Sequence, residues 1–248
     1  MQWMTSFWHF FIDNFPSWSL IIWLFPLSFI WSIFALALAG FCKKNLHWKT
    51  GYTRKLFHFL IFGSAVLYQQ FLGLQGVFVL GWSVTIILIF ACIKGKGNIL
   101  YEALAREKDA PHRTKYIVFS YVATFLGGVL SNLFFGKLAI FGYAVTGIAD
   151  AVAEPIGTMF GKHFYNVFSF HSNKISQRSI EGSMSVLLSS FIVYYLMFFS
   201  LFPLVEISVL KIILISIICM LTEALSPSGF DNLLLQIVAG GLAYYMIQ

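Results

Sequence analysis

Eight apolar runs constrain this chain more than any other feature of it. They fall at about 18–42, 56–72, 74–93, 116–135, 138–156, 184–203, 208–225 and 230–247, each near the roughly 20 residues that a helix needs to cross a hydrocarbon core. The second run and the last two are the shortest or most interrupted. The expected fold is all-α, a polytopic membrane helical bundle of about eight transmembrane helices. Composition agrees: 59% of the 248 residues are hydrophobic, against roughly 45–50% in soluble domains. No Pro- or Ser-rich linker divides the chain, so residues 1–248 read as one integral-membrane domain. Residues 1–17 hold no Lys or Arg and are rich in Trp and Phe, which predicts a short interfacial segment rather than a secretory signal.

The bases set an orientation. All Lys and Arg except Lys137 and Lys211 lie in three alternate connections, around 43–55, 94–115 and 162–178. By the positive-inside rule those loops are cytoplasmic and both termini lie opposite. The net charge of +6 is therefore assigned to membrane lipids and topology, not to nucleic acid, because the bases alternate with apolar runs instead of lining one face. Cys42, Cys92 and Cys219 are isolated in or beside apolar runs, which suits packing rather than disulfides or metal.

The costliest polar residues lie between Gly147 and Ser183. Asp150 and Glu154 close the fifth apolar run and, at i and i+4, share one helix face. Charges at that depth cost roughly 2.5–3.5 kcal/mol each, so the pair is expected to face a polar cavity or a cation. Pro155 is expected to kink or end the helix. Gly157, Gly161, Lys162, Arg178 and Ser179 follow, then Glu181, Gly182 and Ser183 at the head of the next run. This set suits a magnesium polyphosphate. Carboxylates hold Mg2+ while phosphates complete its shell, glycines admit phosphate oxygens to the backbone, and Lys162 and Arg178 neutralise charge. The plainer alternative pairs Asp150 with Lys162 or Arg178 and leaves the glycines to pack helices.

Other stretches are read both ways. Arg54, Lys55 and His58 form either a phosphate clamp or a basic cluster that snorkels to lipid phosphates. A surface helix from Ile99 to Lys108 is expected to present a solvated face. In the connection 222–232, Asp231 either caps the last helix, with Ser228 as a rival, or joins Glu223 in a site. The Gly127–Gly128 and Gly240–Gly241 pairs are read as packing glycines.

Four ordered motifs, RKLFHF, DAVAEPIG with GK after it, RSIEGS and EALSPSGFDN, span residues 54–232. Together they resemble the CTP-dependent lipid kinase family that includes dolichol kinase, phytol kinase and the yeast-type diacylglycerol kinase, a family close to the phosphatidate cytidylyltransferases. The resemblance implies a phosphotransferase that moves the γ-phosphate of CTP to a lipid alcohol, polyprenol or phytol-like, with Mg2+. It implies that Arg54 and Lys55 match the family's basic pair, and that Asp150 and Gly157 match its Asp and Gly. Glu181, Gly182 and Ser183 match its EGS element, and Glu223, Asp231 and Asn232 its C-terminal one. Metal ligation then falls to Asp150 with Glu154, Glu181 or Asp231. Nucleotide contacts fall to Gly157, Gly161, Lys162, Arg178, Ser179, Gly182 and Asn232. Ala149, Arg178 and the Glu154-Pro155 pair depart from the family pattern. The rivals are a CDP-lipid synthase, which would attack the α-phosphate, and a transporter with midplane charges. The kinase reading requires that the separated stretches meet, with Asp150 within about one Debye length, roughly 8 Å, of a charged member of another.

Overall fold

The structure is a computed structural model whose described residues are 2–168 and 176–247. Its helices are α1 (Gln2–Asp13), α2 (Trp18–Asn45), α3 (Thr50–Lys94), α4 (Ile99–Glu102), α5 (Arg113–Phe135), α6 (Ala139–Val145), α7 (Ala151–Phe160), α8 (Ile180–Leu201), α9 (Val209–Leu225) and α10 (Asp231–Ile247). The all-α expectation needs one correction: β1 (Phe164–Val167) and β2 (Ser176–Ser179) pair antiparallel, with Tyr165 opposite Arg178. Lys174, counted above among the bases, lies outside the described residues.

Four continuous helical stretches are long and apolar enough to cross a membrane: Trp18–Asn45, Thr50–Lys94, Arg113–Phe160 and Ile180–Leu201. Two of them reverse. As a straight rod the 45 residues of α3 would extend about 67 Å at 1.5 Å per residue. Yet Thr50 at its start donates to Glu107 at 3.0 Å, only thirteen residues past its end. The break is at Gly73, whose φ of 67° suits a residue without Cβ. Phe57, Phe62 and Ala65 of the first arm then share one core with Leu80, Val84 and Leu88 of the second. Gly136, with φ 53°, reverses the second rod, so that the Tyr143 hydroxyl meets Asn132 at 2.6 Å. α9 and α10 have 17 residues each, just under the usual span length.

Caps come from short polar side chains. Ser17, Ser179 and Ser208 accept from the backbone amides of Leu20, Gly182 and Lys211 and so open α2, α8 and α9. Between helices the glue is polar or very small, as expected where lipid provides little driving force. Trp31 donates to Ser64 at 2.8 Å and Ser28 meets Tyr68 at 3.1 Å, tying α2 to α3. Gly127, Gly142 and Gly240 let α10 lie directly on α5 and α6.

Two local expectations fail for physical reasons. The stretch 99–108 is no continuous surface helix. Only Ile99–Glu102 is α-helical, with a 3-10 turn at Glu107–Asp109, while Tyr101, Ala103, Leu104 and Ala105 are buried. The carboxylates are paired across helices, Lys43 donating to Glu107 at 2.7 Å and Arg113 to Glu102 at 2.7 Å, although Glu107 itself stays exposed. Burial alone would raise the Glu107 carboxyl, but the hydrogen bonds from Lys43 and Thr50 bring it down to about 2. Nor does Pro155 end its helix, since α7 continues to Phe160. The irregularity lies upstream, in a π-helical turn at Thr146–Asp150.

A Cβ at Gly142 would collide with the Gln236 carbonyl oxygen, whereas one at Gly63 meets nothing within 4 Å. Gly142→Ala should therefore cost about 1–3 kcal/mol through overpacking. The expected result is a lower thermal midpoint in detergent for Gly142→Ala and an unchanged one for Gly63→Ala.

Candidate functional site

The polar connections collect at one end of the bundle. Lys55 on the first arm of α3 donates to the Asp150 carboxylate at 2.6 Å, and His58, one turn further on, lies 3.5 Å from the same oxygen. The π-helical turn widens the backbone just where Asp150 must meet α3, a distortion that recurs at functional sites. His58 Nε2 also meets the Thr146 carbonyl oxygen at 3.1 Å. Asp150 thus pairs with Lys55, not with Lys162 or Arg178, well inside the distance the kinase reading requires.

The hairpin carries Arg178. Strand β2 places its guanidinium 3.0 Å from Glu223 of α9 and 3.4 Å from Asp231 at the start of α10. The backbone of Ser228 donates to Phe168 at 3.1 Å, which docks the α9–α10 connection on the hairpin. Asn232 donates to Thr124 of α5 at 2.8 Å.

A cavity of about 550 Å³ opens among these elements. Arg54, Lys55, His58, Arg106, Glu154, Asp231 and Asn232 line it where the connections meet, and Ser120 and Thr124 continue that wall. The rest is apolar, with Phe57, Phe62, Leu80 and Val84 from both arms of α3. Arg54 donates to Ser120 at 3.1 Å and makes no ion pair within 4 Å among the described residues. Near Arg106 the Lys108 ammonium is pushed down by desolvation and by the Arg106 charge.

Several expected residues sit elsewhere. Asp150 is 2% exposed and lies behind Lys55, off the cavity wall. Glu154 is on that wall and makes no ion pair or side-chain hydrogen bond among the described residues. Glu181 points away, bound to His163 at 2.8 Å, and Lys162 is exposed outside the wall. Gly157, Gly161 and Gly182 form a tight junction around the Ser179 hydroxyl: a Cβ at Gly157 would stand 2.7 Å from it. Ser179 itself caps α8. These four therefore pack α7 against α8, and their backbone offers the cavity no open cradle.

No group of three or more His, Cys, Asp or Glu side chains among the described residues is placed to hold a metal unaided. A Mg2+ that arrives with a polyphosphate needs only one or two protein carboxylates. Glu154 and Asp231, both on the cavity wall, fit that smaller demand.

Sequence reasoning missed Arg106, Ser120, Thr124 and Gln236. Arg106 falls on the expected surface helix Ile99–Lys108, although the apolar LYEALA segment before it is a signal that the stretch folds inward. Comparison of the chain with protein-family models, with curated proteins and with solved structures finds no match.

Removing one member of a buried ion pair leaves an uncompensated charge, at a cost of about 3–5 kcal/mol. Lys55→Met should lower thermal stability by that order, and adding Asp150→Asn should restore much of the loss. Unfolding midpoints of the two single variants and the double variant measure this coupling.

Proposed function

We propose that this protein is a membrane-embedded kinase that transfers the γ-phosphate of CTP to the hydroxyl of a lipid alcohol. The observation that carries the reading is the two-ended cavity, with Arg54, Lys55 and Arg106 at one end and an aliphatic and aromatic shaft at the other. An amphiphile with a small polar head and one apolar tail matches that lining. The ordered motifs from residue 54 to 232 add the nucleotide and the lipid-kinase chemistry. In this reading the chain crosses the membrane eight times. Both arms of α3 and both arms of the 113–160 rod count, as do the shorter α9 and α10, and the basic end faces the cytoplasm where nucleotides are.

The residues divide the work by position. Arg54, Lys55 and Arg106 bind the phosphates and balance charge on the transferred group, since positioning and electrostatics account for most of phosphoryl transfer. Asp150 and His58 hold Lys55 in place from behind. Glu154 accepts a hydrogen bond from the substrate hydroxyl and thereby orients it. When bound, Mg2+ would be held by Glu154 and Asp231 and would supply charge neutralisation between the phosphates. Arg178 keeps Asp231 and Glu223 from repelling the nucleotide.

Purified protein with γ-labelled CTP, Mg2+ and a panel of lipid alcohols should place label on the lipid. Arg54→Ala and Glu154→Gln should each lower that rate by about 10²–10³, the loss seen when one charge-stabilising group is removed. Label reaching lipid only from α-labelled CTP would replace the kinase by a cytidylyltransferase. Substrate flux through proteoliposomes without nucleotide turnover would replace it by a transporter.

A further inference from the structure

The cavity wall stays partly polar beyond its basic residues. Asn232 and Gln236, one helical turn apart on α10, both line it just after Asp231. Their amide nitrogens are already committed: Gln236 Nε2 donates to the Thr124 carbonyl oxygen at 3.0 Å and to the Asn232 carbonyl oxygen at 2.8 Å, and Asn232 Nδ2 donates to the Thr124 hydroxyl. These orientations are fixed by the partners. A carbonyl oxygen has no proton to give, so Gln236 must present nitrogen to Thr124. The Thr124 hydroxyl gives its own proton to the Ser120 carbonyl oxygen at 2.9 Å, so Asn232 must present nitrogen as well. What remains is the two side-chain oxygens, Asn232 Oδ1 and Gln236 Oε1, both buried and without a hydrogen-bond partner among the described residues. Gln236 as a whole is 1% exposed. Bare acceptors of this kind are costly, and neither is open to bulk water.

A donor stands beside them. The Tyr143 hydroxyl, on the same wall, accepts from Asn132 and keeps its own proton to give. Gly128 lies between, since a Cβ there would stand 3.3 Å from the Tyr143 hydroxyl oxygen and 3.4 Å from Gln236 Oε1.

We propose that Asn232, Gln236 and Tyr143 form a second polar subsite that binds a further hydroxyl of the lipid, so that the substrate carries two or more hydroxyl groups near its head. The proposal deepens the lipid-alcohol reading and rests on it for the hydroxyl that receives phosphate. Complementarity selects the group. A hydroxyl can donate to an amide oxygen and accept from Tyr143 through one atom. An ester carbonyl would only accept, and an ammonium would only donate and would meet Arg54 and Lys55 on the same wall. Position selects the spacing. Asn232 follows Asp231 directly, and Gln236 lies about 6 Å further along the helix. The subsite therefore begins at the charged end and suits hydroxyls on neighbouring or next-neighbouring carbons of one head group.

The test is binding without nucleotide, with the full chain in nanodiscs. Dodecanol, its vicinal diol, the diol with one carbon between the hydroxyls, and the vicinal diol with its second hydroxyl methylated would each compete with a fluorescent alkyl alcohol at matched mole fraction in the disc. The better diol should bind about three- to tenfold tighter than dodecanol, the gain of one net hydrogen bond. The methyl ether, which lacks the second proton, should lose that gain. Gln236→Met, similar in length and a weak acceptor at most, should remove the diol preference and leave dodecanol binding in place, and Tyr143→Phe should reduce the preference. If Gln236→Met does not fold, the comparison of diol with ether on the unaltered chain still decides. Equal binding of diol, alcohol and ether, a preference undiminished in Gln236→Met, or no binding at all would each overturn the subsite. A diol preference while γ-labelled CTP labels no lipid would keep the subsite and remove the kinase. Label on dodecanol and diols alike, with equal binding, would remove the subsite and leave the kinase.

Discussion

The Lys55–Asp150 ion pair is the constraint that orders the rest of the bundle. Either charge alone would be costly in a lipid-facing helix, and the two become tolerable only when α3 and the π-helical turn meet at 2.6 Å. That requirement fixes the rotation of α3 about its axis. With Lys55 turned toward Asp150, the neighbouring Arg54 and the His58 one turn away face the same cleft, and the apolar remainder of the helix faces α2 and the second arm. The wide turn at Thr146–Asp150 serves the same end from the other side. The extra residue in the turn, just before the helix that contains Pro155, aims Asp150 at α3.

From this pair follows the charge balance of the cavity. Asp150 is spent on Lys55, while Asp231 and Glu223 share Arg178, so much of the negative charge near the site is already matched. Among the described residues Arg54 has no carboxylate within ion-pair distance, while on the same wall Arg106 pairs with Asp109 and Glu154 pairs with no cation. In the proposed reading Arg54 is the cation left to meet an anion there, and the apolar shaft takes the tail of an amphiphile.

Much of this was legible in the sequence, and the parts that were not share a cause. Apolar runs gave the helices because span length is a one-dimensional property, and the breaks at Gly73 and Gly136 fall between runs already separated by pattern. Arg54, Lys55, Asp150 and Asp231 could be nominated because a charge beside an apolar run is conspicuous. What the pattern could not reveal is which charge neutralises which. Asp150 had Lys162 and Arg178 as nearer partners along the chain, yet it bonds a lysine 95 residues away. The 99–108 segment deceived for the same reason: nothing along the chain shows that its carboxylates pair with Lys43 and Arg113, on other helices. Even the hairpin escaped, since two four-residue strands leave little periodicity between apolar runs.

The glycines carry the last step. A run such as Gly157, Gly161 and Gly182 invites the reading of a backbone cradle for phosphate, in the manner of nucleotide-binding loops. Here the Ser179 hydroxyl occupies the space between them, donating nothing to the cavity and accepting from the Gly182 amide to open α8. Their amides are thus committed to helix packing, and any phosphate bound in the cleft must be held by side chains. Guanidinium groups are suited to that task, because their fork of donors meets phosphate oxygens in pairs. In the proposed reading Arg54 and Arg106 take the place that a glycine-rich loop has in other folds. The cost is that two long side chains must be held in position, which explains why Ser120 fastens one and Asp109, at 2.8 Å, the other.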